Sequence, residues 1–214
     1  RHPDVIFLSE SFTRPKRMRA LAKLGFSQSY TYFTWKNSAW ELREYLTELT
    51  GTEMTEFFRP HFFTNTPDIL HEYLQVGGRP AFRIRLLLAA TLSPTYGIYS
   101  GFELCENRAV HPTSEEYLNR ETSDIRQRNW NLFGNIKHDL SKLNRIRREN
   151  LALQKLDNLT FIQAEFDQIL AYVKSTEDNH LIIVVNLDPS RMHECMIHVP
   201  LEQLGLGEEE MLEV

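Results

Sequence analysis

Two acidic residues, Glu10 and Asp68, each come shortly after a stretch that is predicted to be a buried β-strand. Glu10 follows the continuous apolar run Val5–Leu8, and Asp68 follows the segment around Phe62–Thr64. In a barrel of parallel strands, the carboxyl ends of the strands form the mouth at which such barrels carry out their chemistry. We therefore predict that both carboxylates face one cleft.

A pair of carboxyl groups on one cleft is the arrangement that cleavage of a glycosidic bond requires. One acid stays protonated and donates its proton to the leaving oxygen, while an ionised acid stabilises the positive charge that develops on the sugar. The residues alone leave a second interpretation open. A carboxylate after a strand also serves as a helix-start residue favoured by the helix dipole, or as an ion-pair partner.

The elements that must position these acids alternate between strand and helix up to about residue 105. Pro15 suits the first turn of a helix, and Ser38 suits an N-cap. Such alternation with short connections predicts a parallel sheet, and four units are half of a (β/α)8 TIM barrel, which takes about 250 residues. The predicted strands are 5–8, 27–34, 62–64 and 96–99, and the predicted helices are 15–24, 39–49, 69–74 and 81–91.

The pattern changes in the last quarter of the chain. After a predicted helix at 140–153, four strand-like runs separated by polar turns indicate an antiparallel sheet: 159–163, 170–174, 181–186 and 195–199. We therefore predict an α/β fold class in two domains. Residues 1–155 are the second half of a catalytic (β/α)8 barrel, and residues 156–214 are the start of a C-terminal all-β domain, an antiparallel β-sandwich-like unit.

The composition excludes several classes of function. Twenty-four basic and twenty-nine acidic residues give a net charge of −5, with no basic run that would follow a nucleic-acid backbone. The longest apolar runs are too short to cross a membrane. Cys105 and Cys195 form neither a disulfide framework nor a zinc spacing, which suits a reducing cytosol. We expect a cytoplasmic protein without metal or cofactor, and a chain cut from something longer.

Five motifs follow one another in a specific order. They are FLSESFTRP at 7–15, QSYTYFTWK at 28–36, FTNTPDIL at 63–70, YSGFEL at 99–104 and KLNRIRREN at 142–150. With these motifs the chain resembles the α-1,4-glucan:maltose-1-phosphate maltosyltransferases (the GlgE type) of the α-amylase clan. The NTPD sequence at 65–68 is the specific signal, because ordinary amylases carry Asn-His-Asp at that motif.

The resemblance implies a role for each acid. Glu10 matches the general acid/base of the family, and Asp68 matches the carboxylate that stabilises the oxocarbenium-like transition state. The family's nucleophile is an aspartate on the preceding strand, which these 214 residues do not include, so they are expected to be inactive alone. The implied reaction is transfer of maltosyl units, with retention, from maltose 1-phosphate to an α-1,4-glucan acceptor. We also expect a homo-oligomer.

One departure from the family pattern concerns the donor site. Relatives carry a Glu-Lys-Tyr triplet that meets the bound maltosyl unit, and this sequence has Glu121-Thr122-Ser123 instead. Thr122 and Ser123 therefore align with substrate-binding positions but lack the cation and the ring. Tyr30, Tyr32 and Trp35 are further candidates, because aromatic rings stack on sugars, although strand alternation places part of them in the core.

Two rival functions stay open on the sequence. One is hydrolysis of α-glucans by the same two acids, with water as the acceptor. The other is a non-catalytic glycan-binding module, which the change at Thr122 and Ser123 makes plausible. His193 and Cys195 are predicted to share a strand face, but no further ligand lies near them, so a metal site is not expected there.

Overall fold

A four-stranded parallel sheet forms the first part of the molecule. The computed structural model describes residue 2 and residues 4–118, 120–121 and 125–201. The sheet order is β1-β2-β3-β4, and every neighbouring pair is parallel, which confirms the predicted alternation. The strands are β1 Leu8–Ser9, β2 Gln28–Tyr30, β3 Pro60–Phe63 and β4 Thr95–Gly97.

Helices connect these strands, and the first two begin at the predicted residues, Pro15 and Ala39. The helices predicted at 69–74, 81–91 and 140–153 instead cover 72–76, 78–92 and 137–149. Pro15 is the first residue of α1, and Gly25, with φ +103°, follows its end. Ser38 caps α2 through a capping box, in which its side chain accepts from the Glu41 amide and Glu41 accepts from the Ser38 amide. The helices are α1 Pro15–Lys23, α2 Ala39–Gly51, α3 Met54–Phe57, α4 Glu72–Val76, α5 Gly78–Leu92 and α6 Lys137–Glu149.

The predicted strand at 27–34 is too long. The strand stops at Tyr30, and a short 3₁₀ helix takes up Tyr32–Trp35. Thr31 causes the change, because its hydroxyl accepts a hydrogen bond from the Phe33 amide at 3.4 Å. Such a local side-chain bond competes with strand pairing even in a run of residues with high strand propensity. Two further 3₁₀ turns cover Phe102–Leu104 and Leu151–Gln154.

The two faces of the parallel sheet differ. One face is covered by helices, and Phe62 stacks there on Phe33 with ring centroids 4.4 Å apart, in a core shared with Leu42 of α2 and Leu88 of α5. The opposite face carries no helix within the described residues, and we call it the helix-free face. It presents side chains that alternate with the core residues along each strand, among them Tyr30, His61 and Phe63.

A second, antiparallel sheet has the order β7-β6-β5-β8. Its strands are β5 Leu159–Ala164, β6 Ile169–Ser175, β7 His180–Asn186 and β8 Ile197–His198. Leu170, Tyr172 and Val185 pack into the same core as Leu88, and the Tyr172 and Thr91 hydroxyls lie 2.6 Å apart. Within the predicted C-terminal domain, the described residues 156–201 form this one antiparallel sheet, which packs on helices, and they do not include the second sheet of the predicted sandwich. The domain boundary at 155/156 stays a prediction.

The outer edge of β1 exposes an apolar strip. Val5, Ile6, Phe7 and Leu8 are between 48% and 71% exposed, and within the described residues β1 pairs only with β2. Unpaired strand edges and contiguous apolar patches favour association with another chain. Over the described residues, no helix is both long and apolar enough to cross a membrane.

We predict that residues 1–214, purified alone, self-associate through this strip. Ile6→Lys, which places a charge on the strip, should reduce the average mass in light scattering across a concentration series. Leu24→Lys is the matched control, because Leu24 is 80% exposed but lies at the end of α1. A monomer at all concentrations would contradict the prediction, as would equal effects of the two substitutions.

Candidate active site

Glu10 lies directly after β1, with its side chain exposed. Leu8 is paired with Gln28, so alternation along the two strands places Glu10 and Tyr30 on the same helix-free face. The electrostatics agree with this placement. Burial raises the pKa of the Tyr30 hydroxyl, and the negative charge of Glu10 adds to the increase. Glu10 is therefore at the carboxyl end of β1, beside Tyr30.

Aromatic rings line the helix-free face around Glu10. The ring of Tyr30 lies 4.5 Å from Phe63 and 5.7 Å from Phe12, and Phe12 meets Trp35 edge-on at 5.3 Å. On β4, Gly97 leaves room for this layer, because a Cβ there would lie 2.4 Å from the Phe63 ring. Such a surface fits the C–H faces of a sugar.

The two remaining aromatic candidates have different surroundings. Tyr32 donates its hydroxyl hydrogen bond to the Thr13 carbonyl and packs near Tyr45. Its ring therefore ties the β1–α1 loop to α2. Trp35 instead donates its indole N–H to the carboxylate of Glu115, at 3.0 and 3.1 Å to the two oxygens.

Asp68 lies in the loop between β3 and α4. Hydrogen bonds hold the backbone of this loop, while the carboxylate of Asp68 is largely exposed. The Asp68 amide donates to the Thr66 hydroxyl at 3.3 Å, and Thr66 forms an isolated bridge with Ile69. Asn65 is fully buried and contacts the Tyr99 amide and the Tyr117 hydroxyl. The side chain of Asp68 is 60% exposed.

A guanidinium that the sequence reasoning did not identify contacts Asp68. Arg120 makes an ion pair with the Asp68 carboxylate, and it lies 3.7 Å from Glu116. The two partners are 52 residues apart in sequence, and Arg120 belongs to a polar, irregular segment. Neither periodicity nor a motif could have paired them, because the contact depends on how the loop after β4 folds back.

Charged residues hold the loop that precedes Thr122 and Ser123. The Glu121 amide donates to the Tyr99 hydroxyl at 3.1 Å, and Arg128 donates to Glu121 at 3.2 Å. A hydrogen bond from the Arg126 amide, together with the Arg128 guanidinium, lowers the pKa of Glu121. Thr122 and Ser123 themselves lie outside the described residues.

Glu103 fixes the turn that follows β4 through two hydrogen bonds. Its carboxylate accepts from the Gly101 amide at 3.0 Å, and its carbonyl accepts from the Ile136 amide at 2.8 Å. Gly101 has φ +101°, and a Cβ there would lie 2.2 Å from Glu106, so the turn requires glycine.

Glu10 and Asp68 therefore follow the carboxyl ends of two strands in one parallel sheet, as predicted. Strand β2 lies between β1 and β3, which places their ends about 10 Å apart at the usual strand spacing. Tyr30 of β2 and Trp35 of the 3₁₀ helix after it come between the two acids in chain order, and β2 lies between β1 and β3 in the sheet. The spacing of these strand ends is wider than a sugar ring.

Metal ligation and thiol chemistry find no support in the described part of the chain. It contains no group of three or more His, Cys, Asp or Glu side chains that could hold a metal ion. His193 is instead 2.8 Å from the Asp188 carboxylate. Cys105 and Cys195 are both free thiols, and burial raises the pKa of Cys105 to about 11, which disfavours the reactive thiolate.

The α-amylases share the fold of this chain. The α-amylase of H. orenii superposes with a TM-score of 0.64 at 15% identity, covering 86% of this chain and 43% of that enzyme. AmyP, solved in complex with maltose, superposes with a TM-score of 0.67 at 14% identity, covering 85% of this chain and 45% of that one. At these identities the likeness concerns the fold alone.

Sequence comparison gives closer relatives. Alpha-1,4-glucan:maltose-1-phosphate maltosyltransferase 1 of Streptomyces coelicolor is 52% identical over 99% of this chain. The enzymes of that name from Rhodospirillum rubrum and Corynebacterium glutamicum are 51% and 50% identical, over 97% and 96% of this chain. The chain spans 30–32% of the length of these relatives.

A family model covers the end of the chain. Residues 161–214 match the model described as GLGE, C-terminal. This match begins within β5 of the antiparallel sheet, while the sequence relatives extend the likeness back through the parallel sheet. Over nearly its whole length the chain is therefore similar to the C-terminal part of the α-1,4-glucan:maltose-1-phosphate maltosyltransferases, and its last 54 residues match the GLGE C-terminal family model.

Proposed function

We propose that the protein transfers maltosyl units, with retention, from maltose 1-phosphate to the non-reducing end of α-1,4-glucans. The observation that carries the proposal is the placement of Glu10 and Asp68 at the strand ends of one parallel sheet. In addition, nearly the whole chain is about 50% identical in sequence to enzymes that are named for this reaction.

In this proposal the parallel sheet is the second half of a (β/α)8 barrel, and residues 156–214 begin a separate C-terminal domain. The fold likeness to α-amylases over 85–86% of the chain supports this arrangement. So does the exposed apolar strip at Val5–Leu8, which a further strand would cover. The helix-free face would then line the barrel interior, with the two acids at its mouth.

The reaction would proceed by double displacement. An aspartate outside these residues attacks C1 of the maltosyl unit, the bond from C1 to the phosphate oxygen breaks, and Glu10 supplies a proton to the departing phosphate. In the second step ionised Glu10 removes the proton of the acceptor hydroxyl, whose oxygen attacks C1 and releases the aspartate. Asp68 stabilises the positive charge on the sugar in both transition states.

The remaining candidates would bind the sugars. Tyr30, Phe12 and Trp35 provide an aromatic wall that stacks on glucosyl rings and excludes water from the intermediate. Thr122 and Ser123 would contact the donor maltosyl unit through their hydroxyls. These hydroxyls replace a cation and a ring, so the donor is expected to be held less tightly than in relatives.

Hydrolysis of α-glucans is the second candidate, because the solved structures of similar fold include α-amylases. We predict that the full-length gene product releases inorganic phosphate from maltose 1-phosphate far faster when maltohexaose is present. A transferase protects its covalent intermediate from water until an acceptor occupies the site. Phosphate and free maltose should be followed together, with and without acceptor. Equal amounts of both in every condition would contradict transfer, and no turnover at all would favour a glycan-binding module.

We predict that Glu10→Gln nearly abolishes transfer while sugar binding survives. The amide keeps the shape of the side chain but cannot carry the proton, and general acid–base assistance contributes roughly 10²–10⁴-fold. Transfer rate and binding by calorimetry should be measured in the full-length gene product. Glu53→Gln is the control, because Glu53 is an exposed acid before α3. Near-normal turnover by Glu10→Gln would remove Glu10 from this role.

We predict that Asp68→Asn loses most of its activity in kcat rather than in KM. The positive charge on the sugar is larger in the transition state than in the ground state, so removing the carboxylate charge affects the chemical step. Steady-state kinetics on maltose 1-phosphate give the comparison, with Glu72→Gln, an exposed acid in the first turn of α4, as the control. Unchanged kcat with weakened binding would make Asp68 a substrate clamp instead.

A further inference from the structure

A segment after β4 folds back over the loop that carries Asp68. It comprises residues 115–118 and 120–121, and we call it the strap. Its backbone is joined to the loop at two places, because the Leu70 amide donates to the Glu115 carbonyl at 2.6 Å and the Tyr117 amide donates to the Pro67 carbonyl at 3.4 Å. The two bonds flank Asp68 in sequence, so the strap crosses directly beside it.

Side chains of the strap add three further connections to the site. The Tyr117 hydroxyl accepts a hydrogen bond from the Asn65 amide at 2.7 Å, and both residues are more than nine-tenths buried. The Glu115 carboxylate accepts the indole N–H of Trp35. Arg120, near the end of the strap, pairs with the Asp68 carboxylate through its Nη1. The strap therefore contacts the loops that follow both β2 and β3.

Arg120 is placed to act on Asp68 in particular. Its side chain is 33% exposed, whereas that of Asp68 is 60% exposed, so the carboxylate has little else nearby to fix its rotamer. The hydrogen bond goes to one oxygen, Oδ1. A carboxylate held in this way presents its second oxygen in a defined direction, and preorganised charge stabilises a transition state without rearranging first.

We propose that Arg120 is a positioning residue, which holds the Asp68 carboxylate in the orientation that stabilises the transition state. This inference rests on the proposed function, in which Asp68 provides that charge. Partly exposed ion pairs add little to folding stability. A misplacement of about 1 Å, by contrast, can lower a rate by about 100-fold. The pair is therefore expected to matter for turnover and not for folding.

The competing interpretation is that Arg120 only anchors the strap. Glu116 lies 3.7 Å from the same guanidinium and four residues before it, an arrangement that stabilises a local turn. Substitutions at Glu116 and Arg120 separate the two interpretations. Glu116→Gln removes the local pair and leaves the contact to Asp68, so it is the matched control.

The test compares Arg120→Gln, Arg120→Lys, Asp68→Asn and the double variant Arg120→Gln/Asp68→Asn in the full-length gene product. We expect Arg120→Gln to lower kcat by roughly 10–100-fold, with KM within about twofold and an unchanged melting temperature. Arg120→Lys should recover part of the loss, since it restores the charge without the planar guanidinium. Glu116→Gln should leave kcat within about twofold of the parent.

The double variant decides how Arg120 acts. If Arg120 works through Asp68, then Arg120→Gln should cost no more than about twofold in the Asp68→Asn background. Equal losses in both backgrounds, or a loss accompanied by a lowered melting temperature, would overturn the inference in favour of an anchor. A raised KM with unchanged kcat would overturn it in favour of a substrate contact. If Asp68→Asn itself keeps full kcat, the proposed role of Asp68 fails. The single variants separate this failure from that of the Arg120 inference, in which Asp68→Asn loses kcat but Arg120→Gln does not.

Discussion

One fully buried amide, Asn65, joins the segments from which the candidate site is built. Its Nδ2 donates to the Tyr117 hydroxyl at 2.7 Å, and its Oδ1 accepts from the Tyr99 amide at 2.9 Å and from the Thr64 hydroxyl at 3.0 Å. A buried amide that loses a partner costs the full desolvation of that group, so each of these contacts constrains the others. The loop after β3, the loop after β4 and the strap are consequently fixed relative to one another.

A buried cation fixes the loop after β2 in a different way. The Arg85 guanidinium of α5 is 2% exposed and donates to the carbonyls of Phe33 and Lys36, both at 2.6 Å, while it lies 3.8 Å from the Phe33 ring centroid. No carboxylate within the described residues pairs with it. Burial lowers the pKa of Arg85 to about 9, which still leaves it protonated at neutral pH.

The position of Trp35 follows from that arrangement. The carbonyls that Arg85 binds lie on either side of Trp35, at the end of the short 3₁₀ helix, and Thr34 adds a hydrogen bond to the Phe63 carbonyl at 3.0 Å. The indole then reaches Glu115 of the strap. The core between the sheet and α5 thus determines where an aromatic residue of the candidate site is placed.

The sequence by itself determined the parallel sheet, the start of α1 at Pro15, the cap at Ser38 and the strand ends after which Glu10 and Asp68 stand. These features are local, because neighbouring residues determine hydrophobic runs, helix caps and the order of strands and helices. The family resemblance came from motifs that are also contiguous. The 3₁₀ helix after Tyr30 was missed because the aromatic run has the composition of a strand, and the bond from Thr31 that ends it leaves no periodic signal.

Only the tertiary structure decided the surroundings of the two acids. The pairing of Arg120 with Asp68, the bond from Trp35 to Glu115 and the contacts of Asn65 with Tyr99 and Tyr117 join residues that are 34 to 80 positions apart. Each depends on how a long polar loop folds back over the strand ends, and polar loops carry no hydrophobic period from which a path could be predicted. The two candidate carboxylates could be named from sequence because their types and neighbours are local. Their orientation could not, because it is set by contacts between distant segments.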